Sequence, residues 1–514
     1  MASYHVQNFG CRATQADGAA IDRQFSERGW QRADAAADAE VVVLNTCTVT
    51  ASADQDARAA IRRVHRDNPK AQILVTGCYA QRAPQELSAI AGVSVVVGNS
   101  HKHELANYVR PLVIHRDNDL AGSAGPRVGD VESGVGDMES ARPTHPLFSD
   151  ESDPLGTTER AANNFVPLAR IGTQGGADVI VGDIFAHTEL TAAPVFDGES
   201  SEKTRPNLKV QDGCNNRCSF CIIPYVRGRS RSLTTDNVIR EVDALVSAGY
   251  REIVLSGINL GRWGRDLVPR TSFVAMLREI LERTAIEKLR ISSVEPMDWT
   301  NELIELVASL PRICKHAHVP LQSGSDKILR KMHRKYRPWH YADRIERIRR
   351  AMPDAAIGAD VMVGFPGETA DDFDETRAFI ERLPFTYLHV FTYSSRPGTP
   401  SASMSDQVPV QVARERNRIL RELAAQKKRA FMESFVGRAL EAITLTHFDG
   451  EYTEALTDNY LKLQVRGRQE ANRRMRVAIQ AAGSDALLGS EGAPLASFVF
   501  DGAAQAFGLQ GAQL

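Results

Sequence analysis

The chain has 514 residues, of which 43% are hydrophobic, and this is enough material for several globular domains. Its 62 basic and 64 acidic residues nearly cancel, so the net charge of -2 gives no whole-chain argument for a nucleic-acid partner, although a basic face can be local. The first ten residues lack a basic run and an apolar segment, and no apolar run is long enough to cross a bilayer. We therefore expect a cytoplasmic protein with no membrane partner.

The first predicted domain, residues 1–110, alternates short apolar runs with amphipathic stretches. We predict strands over 6–9, 41–44, 73–75 and 93–97, and helices over 19–29 and 55–65. Alternation of strands and helices is typical of a doubly wound parallel sheet, so we assign this domain to the α/β class.

Residues 111–204 are predicted to separate this domain from the next. Their central part, 117–164, is rich in Gly, Ser, Asp and Pro, has ten acidic residues against three basic ones and shows no hydrophobic period. Because such a composition cannot bury enough apolar surface to fold alone, we predict a low-complexity acidic insertion or linker. A partner-binding segment is the alternative, and no specific feature supports it.

The β/α alternation resumes over residues 205–435. We predict strands over 208–210, 252–256, 289–294, 316–321, 357–363 and 387–392. About six β/α units indicate an incomplete parallel (β/α)6 barrel rather than a closed eightfold one. A basic amphipathic helix follows over 414–434. Short strands such as 440–445 and 461–465 then predict a small all-β barrel over 436–505.

Seven cysteines, an odd number, argue against a disulfide framework. Three of them, Cys214, Cys218 and Cys221, have CxxxCxxC spacing directly after a predicted strand. Thiolates are the usual ligands of iron–sulfur clusters, and three of them leave one iron of a four-iron cluster open. That iron can chelate S-adenosylmethionine and pass an electron to its sulfonium, while Phe220 shields the cluster. A zinc site is the alternative, but zinc usually has CxxC pairs and four ligands.

A second set of cysteines is spread along the first domain. Cys11, Cys47 and Cys78 each follow a predicted strand, and the carboxyl ends of parallel strands share one edge of a sheet, where ligands bind. We therefore predict that these thiolates converge on a second four-iron cluster with an open iron. The alternative is three unrelated buried cysteines. Cys314 has no partner pattern and is predicted to lie in the core.

These motifs resemble those of the radical S-adenosylmethionine methylthiotransferases. The family's amino-terminal domain is similar to FGCRATQADG, LNTCTVT and VTGCYAQ of this chain. Its radical domain is similar to QDGCNNRCSFCIIPYVRGRSRS, LSGINLG, RISSVEP, VPLQSGSDKILRKMHRKY, ADVMVGFPGET and FTYSSRPGTP. From Gly437 onward the chain is more weakly similar to the TRAM module, a small β-barrel that binds RNA.

Within the family, the resemblance is greatest to the enzymes that act on threonylcarbamoyladenosine in tRNA. Typical of them are NTCTVT, CYAQ, HRKY and the Arg12 that follows Cys11. Relatives that act on isopentenyladenosine have Gln more typically at the position of Arg12. Thr14 and Asp17 stand where the family often has Asn and Glu, so we expect different contacts around Cys11.

The resemblance implies that the chain inserts sulfur and a methyl group at carbon 2 of threonylcarbamoyladenosine 37, which is 3′ to the anticodon. That carbon is unactivated, so the reaction needs a deoxyadenosyl radical from the first [4Fe–4S] cluster and S-adenosylmethionine. The second [4Fe–4S] cluster would hold the sulfur, and another S-adenosylmethionine would supply the methyl group. The implied partners are the tRNA anticodon stem-loop and a one-electron reductant such as flavodoxin.

Two other interpretations stay open. Within the same chemistry, the substrate could be isopentenyladenosine in tRNA or a ribosomal protein. From another class, the chain could be a non-catalytic iron–sulfur protein that binds RNA. Against the latter stand GINLG, SSVEP and GFPGE, because a binding protein needs no pocket for S-adenosylmethionine.

By the resemblance, residues at strand ends of the second domain border S-adenosylmethionine, and no catalytic side chain is predicted beyond the cluster ligands. Glycine allows close backbone approach, and an amide can bond a ribose or a carboxylate. The predicted set is Gly257, Asn259, Glu295, Gln322, Ser323, Asp360 and Gly364. For Glu295 the alternative is an ordinary loop carboxylate.

Two basic clusters are candidates for RNA contact, because cations with interleaved aromatics suit a phosphate backbone and unstacked bases. The first contains Arg227, Arg229 and Arg231, and the second contains Lys331, Arg334, Lys335 and Arg337 with Tyr336 and Trp339. Solvated charged loops are the alternative.

Overall fold

A computed structural model describes residues 2–109, 177–187, 190 and 204–492. They belong to one compact unit, formed by Met1–Val109 and Leu168–Leu514. The predicted acidic segment 117–164 and residues 493–505 of the predicted C-terminal module lie outside the described residues. Within the described residues, no helix is long and apolar enough to span a membrane.

The amino-terminal domain is a six-stranded, all-parallel sheet of order β2-β1-β3-β4-β5-β6. Its strands are β1 (Ser3–Asn8), β2 (Gln31–Arg32), β3 (Val41–Thr46), β4 (Gln72–Gly77), β5 (Val93–Gly98) and β6 (Asp178–Ile180). Its helices are α1 (Arg12–Ser26), α2 (Ala51–Asp67), α3 (Cys78–Arg82) and α4 (Pro84–Ser88). Alternate strand residues enter two separate apolar clusters, one with α1 and one with α2, so both faces are covered. This confirms the doubly wound sheet.

Two boundaries in this domain differ from the sequence-based prediction. The first helix begins at Arg12 rather than at residue 19, because its first turns bury small residues such as Ala13 and Ala16, which produce a weak apolar pattern. The predicted linker over 111–204 is wrong at its C-terminal end, because residues 178–180 form β6 beside β5. Three residues carry too little periodicity to reveal a strand, and the pairing partner, Val95–Val97, is remote in sequence.

The second domain contains the predicted incomplete (β/α)6 barrel. Its strands are β7 (Asn207–Asp212), β8 (Arg231–Ser232), β9 (Glu252–Gly257), β10 (Lys288–Ile291), β11 (His316–His318), β12 (Ala356–Val363) and β13 (Tyr387–Thr392). Strands β7, β9 and β10 are parallel, as are β11, β12 and β13, while the short β8 runs antiparallel to β7. Parallel bridges Leu289–Ile313 and Ser293–His318 connect the two sheets into one open barrel.

Helices cover the outside of this barrel. They are α5 (Ile223–Arg227), α6 (Thr235–Ser247), α7 (Phe273–Arg283), α8 (Asn301–Ser309), α9 (Asp326–Lys331), α10 (Pro338–Ala351), α11 (Ala370–Arg382) and α12 (Val410–Glu433). Alternate residues of β12, such as Ile357, Ala359 and Val361, enter the main core under these helices. Because strand side chains alternate between faces, Asp360 lies on the opposite, inner face.

The C-terminal module is a closed five-stranded barrel of order β14-β15-β16-β18-β17. Its strands are β14 (Ala439–Phe448), β15 (Tyr452–Thr457), β16 (Lys462–Arg466), β17 (Arg474–Ala482) and β18 (Leu487–Glu491). Closure leaves no free sheet edge, and the resulting core packs against Met432 and Phe435 at the end of α12. The all-β prediction is therefore confirmed as a TRAM-like barrel.

Candidate active site

The first cysteine triad lies in the loop between β7 and α5. The Cys214 Sγ accepts hydrogen bonds from the Asn216 N–H (3.4 Å) and from Asn259 Nδ2 (3.6 Å). The Cys218 Sγ accepts one from Arg334 Nη1 at 3.2 Å. Ser219, the buried residue that follows Cys218, donates a hydrogen bond to the carbonyl of Lys331 at 2.7 Å. The loop is thus anchored to the barrel, and its three cysteines are half-buried.

Arg334 is a structural partner of this loop. Its guanidinium contacts the Cys218 sulfur and pairs with the Glu295 carboxylate. Burial opposes its charge, but the neighbouring Tyr336, Glu295 and Cys218 raise the pKa of Arg334 well above its ordinary value. A permanent cation at a thiolate ligand favours the anionic form of a cluster bound there.

The predicted RNA role is therefore wrong for the buried members of the two basic clusters. Arg227, Arg231, Arg334 and Tyr336 are all less than 9% exposed. The Tyr336 hydroxyl donates to the carbonyls of Pro320 and Leu321, a purely internal contact. Charge patterns in sequence do not distinguish a solvated cation from one held in a buried ion pair. Arg229, Lys335 and Trp339 remain exposed.

Asn259 and Glu295, two of the residues predicted to border S-adenosylmethionine, lie at strand ends beside the first triad. Asn259 contacts Cys214, and Glu295 pairs with Arg334, which in turn contacts Cys218. Gln322 has a left-handed φ of 66°, an uncommon conformation for a residue other than glycine. The buried Asn259 Oδ1 and Gln322 Oε1 have no hydrogen-bond partner among the described residues. Unsatisfied buried acceptors on two residues of this barrel, one of which contacts Cys214, fit a polar cofactor such as S-adenosylmethionine.

The other predicted contacts have internal partners. Gly257 packs against Gln211, and the Ser323 hydroxyl bonds that of Thr376 at 3.2 Å. The Gly364 N–H donates to Glu368 at 3.0 Å. Asp360 lies on the inner face of the barrel, where it is paired with His318 (3.3 Å) and His389 (3.2 Å). The structure thus brings Asn259 and Glu295 to the first triad and gives Asp360 a different environment.

The second triad comes together at the carboxyl edge of the amino-terminal sheet. Gly10 has a φ of 102°, and a Cβ there would lie 2.7 Å from the Cys47 sulfur, so only glycine lets the segment of Cys11 approach Cys47 this closely. Burial, together with the neighbouring thiols of Cys78 and Cys11, raises the pKa of the Cys47 thiol to about 12. Thiols that oppose one another's ionisation need a cationic partner to become thiolates, which fits a metal cluster.

Asn99, which the sequence analysis missed, contacts this second triad. Its Nδ2 lies 3.5 Å from the Cys78 sulfur and donates to the Val226 carbonyl at 2.7 Å. Asn99 directly follows β5, so the strand-end rule that selects the cysteines also points to it.

A helix of the barrel connects the two triads. Ile222 directly follows Cys221, and with Val226 it packs in one apolar cluster around Cys78. The helix α5 therefore begins just after a cysteine of the first triad and packs against a cysteine of the second. It connects the two triads although they belong to different domains.

A buried ion network closes the same interface. Asp17 of α1 pairs with Lys102 (3.0 Å), with Lys209 and with Arg227 (2.9 Å). Lys209 and Arg227 also contact Asp212, each at 3.0 Å. Asp17 stays ionised although burial opposes its charge, because the three surrounding cations hold its pKa far below the ordinary value. The network joins β7 and α5 of the barrel to the amino-terminal domain.

We expect Asp17→Asn to destabilise the protein by about 3–5 kcal/mol, because the amide leaves buried cations without their counter-charge. Urea denaturation of the cluster-loaded protein measures this as a lower midpoint. Asp34→Asn is the matched control, since Asp34 is exposed in the same domain. A loss below about 1 kcal/mol would mean that the network contributes little to the interface.

The spacing of the sulfurs argues against single zinc ions. Zinc bound at about 2.3 Å from each sulfur requires its ligand atoms to lie within roughly 4 Å of one another. Among the described residues, the group whose potential ligand atoms all lie within 4.8 Å is His318, Asp360 and His389. Neither cysteine triad is that compact, as expected where a larger cluster separates the sulfurs.

Two family models match the chain. The Radical SAM superfamily matches residues 208–380, and Uncharacterized protein family UPF0004 matches residues 3–98. Among solved structures, the radical S-adenosylmethionine methyltransferase TsrM from Kitasatospora setae has a TM-score of 0.51 and 16% identity, and covers 78% of this chain and 75% of that one. Together with the open barrel and its cysteine loop, these matches define a radical S-adenosylmethionine enzyme, a class that uses a [4Fe–4S] cluster and S-adenosylmethionine.

Curated relatives specify the family. The threonylcarbamoyladenosine tRNA methylthiotransferase MtaB of Bacillus subtilis (strain 168) is 35% identical over 475 residues, covering 91% of this chain and 92% of the relative. MtaB of Aquifex aeolicus (strain VF5) is 33% identical and covers 92% and 99%. A tRNA-2-methylthio-N(6)-dimethylallyladenosine synthase of Saccharopolyspora erythraea is 33% identical and covers 86% and 78%. The chain belongs to the methylthiotransferase family of radical S-adenosylmethionine enzymes.

Proposed function

We propose that this enzyme adds a methylthio group to carbon 2 of threonylcarbamoyladenosine 37 in tRNA, and that it uses two [4Fe–4S] clusters to do so. The observation that carries the proposal is the packing of α5, which follows Cys221, against Cys78. Radical formation and sulfur delivery must act on one carbon atom, so the two triads need to lie at one site.

Cys214, Cys218 and Cys221 would hold the first cluster, which supplies the deoxyadenosyl radical when S-adenosylmethionine is bound. Asn259, Glu295 and Gln322 would orient that cofactor. Unsatisfied oxygens of Asn259 and Gln322 suit the amino or ribose groups, since both are donors. The proposed set of residues that border S-adenosylmethionine also includes Gly257, Ser323, Asp360 and Gly364, which have internal partners.

Cys11, Cys47 and Cys78 would hold the second cluster. Charge supports this assignment, because the adjoining network contains four cations, Lys102, Lys209, Arg227 and Arg231, against the two carboxylates of Asp17 and Asp212. Burial alone would lower the pKa of Arg227, but carboxylates and the thiols of Cys78 and Cys11 raise it well above its ordinary value. An uncompensated buried cation is costly, so a net-negative cluster on three thiolates is the partner that this network fits.

The tRNA assignment is supported by the names of the relatives and by the C-terminal barrel. A cavity of about 630 Å³ lies between this barrel and β13 and is lined by Tyr387, His389 and Tyr460, with Arg205 and Lys462 among the other lining residues. This volume is ample for one nucleoside, and aromatic rings offer stacking surfaces to a base. A one-electron donor such as flavodoxin would reduce the first cluster, and a tRNA substrate places the reaction in the cytoplasm.

The test is a profile of modified nucleosides in tRNA. The chain is expressed in bacteria that lack their own methylthiotransferases, and tRNA is hydrolysed and analysed by mass spectrometry. We expect threonylcarbamoyladenosine to be converted to its 2-methylthio form. Appearance of 2-methylthio-isopentenyladenosine instead would assign the other tRNA substrate. An unchanged tRNA profile, with a labelled ribosomal protein, would contradict the tRNA assignment altogether.

A further inference from the structure

A tyrosine of the C-terminal barrel contacts the first residues of two strands of the radical barrel. Tyr460 is in the tight turn between β15 and β16. Its φ of 65° is left-handed, a conformation that few residues other than glycine adopt. Its ring lies 4.5 Å from that of His316 and 5.5 Å from that of Tyr387, measured between centroids. A backbone strained at one residue needs compensating contacts, and these two tilted ring contacts provide them.

The turn that carries Tyr460 is held by two residues of β10. Arg290 of β10 donates to the carbonyls of Thr457 (3.1 Å) and Asp458 (3.0 Å), and Lys288 pairs with the Asp458 carboxylate. Arg290 itself is neutralised by Glu252, at 2.7 Å. The Tyr460 hydroxyl is consequently held at a defined position.

Arg12 reaches this hydroxyl from the amino-terminal domain. Its Nη2 donates to the Tyr460 hydroxyl at 3.1 Å, and the residue before it is the cluster ligand Cys11. Among the described residues, no carboxylate oxygen lies within 4.0 Å of the Arg12 guanidinium, whereas the nearby Arg290 has Glu252. A half-buried guanidinium that bonds only a neutral phenol keeps donors available for an anion.

We propose that Arg12, positioned by Tyr460, binds the carboxylate of the substituent on N6 of the target adenine. This rests on the proposed function and deepens it, because a threonylcarbamoyl group carries a carboxylate and an isopentenyl group does not. Tyr460 lines the 630 Å³ cavity and also touches Arg12, so the guanidinium lies next to a residue that borders this cavity.

The geometry of adenine supports this orientation. N6 and carbon 2 lie on the same edge of the ring, on either side of N1. An anchor for the N6 substituent next to Cys11 therefore turns the edge that contains carbon 2 towards the second triad. A guanidinium matches a carboxylate in two parallel hydrogen bonds, which gives directional as well as charge selectivity.

The experiment compares synthetic anticodon stem-loops that carry threonylcarbamoyladenosine or its threonyl methyl ester. For the unmodified, cluster-loaded enzyme we expect a preference for the free acid of about tenfold to a hundredfold in kcat/KM. Arg12→Gln should abolish that preference, because kcat/KM falls for the free-acid stem-loop and stays unchanged for the ester stem-loop. Arg62→Gln, a change at an exposed arginine of α2, is the matched control and should retain the preference.

Binding gives a readout that does not depend on turnover. Fluorescence anisotropy without S-adenosylmethionine should show the same loss of discrimination in Arg12→Gln, while Tyr460→Phe should weaken acid binding more than ester binding. The inference is overturned if Arg12→Gln weakens both stem-loops equally or keeps the preference. If the unmodified enzyme forms 5′-deoxyadenosine but methylthiolates neither stem-loop, the proposed function fails, and the binding comparison still decides the role of Arg12.

Discussion

Cys218→Ala should abolish both the formation of 5′-deoxyadenosine and the methylthiolation of tRNA. The change removes one of three thiolates and leaves the buried Arg334 without its sulfur partner. Without the first cluster, no electron reaches S-adenosylmethionine, so we expect both rates to fall at least about a thousandfold, or roughly 4 kcal/mol in the barrier. Anaerobic assays with a chemical reductant, analysed by mass spectrometry, measure both products.

Cys314→Ala is the matched control for this prediction. Cys314 is buried, as the sequence analysis predicted, and lies outside both triads. Removing its sulfur should cost about 1 kcal/mol of stability and leave both rates close to normal. A Cys218→Ala enzyme that still forms 5′-deoxyadenosine would show that radical formation does not depend on this cysteine.

Cys47→Ala should separate the two chemistries. We expect methylthiolation to fall by a similar factor, about a thousandfold, because sulfur then has no cluster to occupy. Reductive cleavage of S-adenosylmethionine should continue at least in part, since the hydrogen bonds to the sulfurs of Cys214 and Cys218 come from the barrel domain. The iron content should drop by half, which anaerobic reconstitution measures.

The mutant domain must still fold for this result to be informative, and circular dichroism checks that it does. The Cys47 side chain is buried, but an alanine there removes a single atom from the core. If a folded Cys47→Ala enzyme methylthiolates tRNA at the normal rate, the second triad is not a catalytic cluster. The three cysteines would then be ordinary buried residues of the sheet edge.

Local patterns in the sequence were sufficient to predict the fold class. Apolar runs alternating with amphipathic stretches indicate parallel sheets, and the structure has them as the six-stranded sheet and the open barrel. The cysteine motifs and their strand-end positions could also be read directly, because ligand spacing and strand ends are local features. They led to the family, which the relatives confirm.

Tertiary structure alone decided how buried charges are used. Asp17 pairs with Lys209 and Arg227, which are 192 and 210 residues away, and no local pattern contains such a pairing. The sequence presents Arg227 and Arg334 simply as basic residues in a charged run, and only packing shows that both are buried beside thiols. Arg12 and Tyr460 are 448 residues apart, and their contact joins the amino-terminal domain to the C-terminal barrel. Electrostatic partners are chosen by proximity in space, and a buried charge depends on its partners more than on its neighbours in sequence.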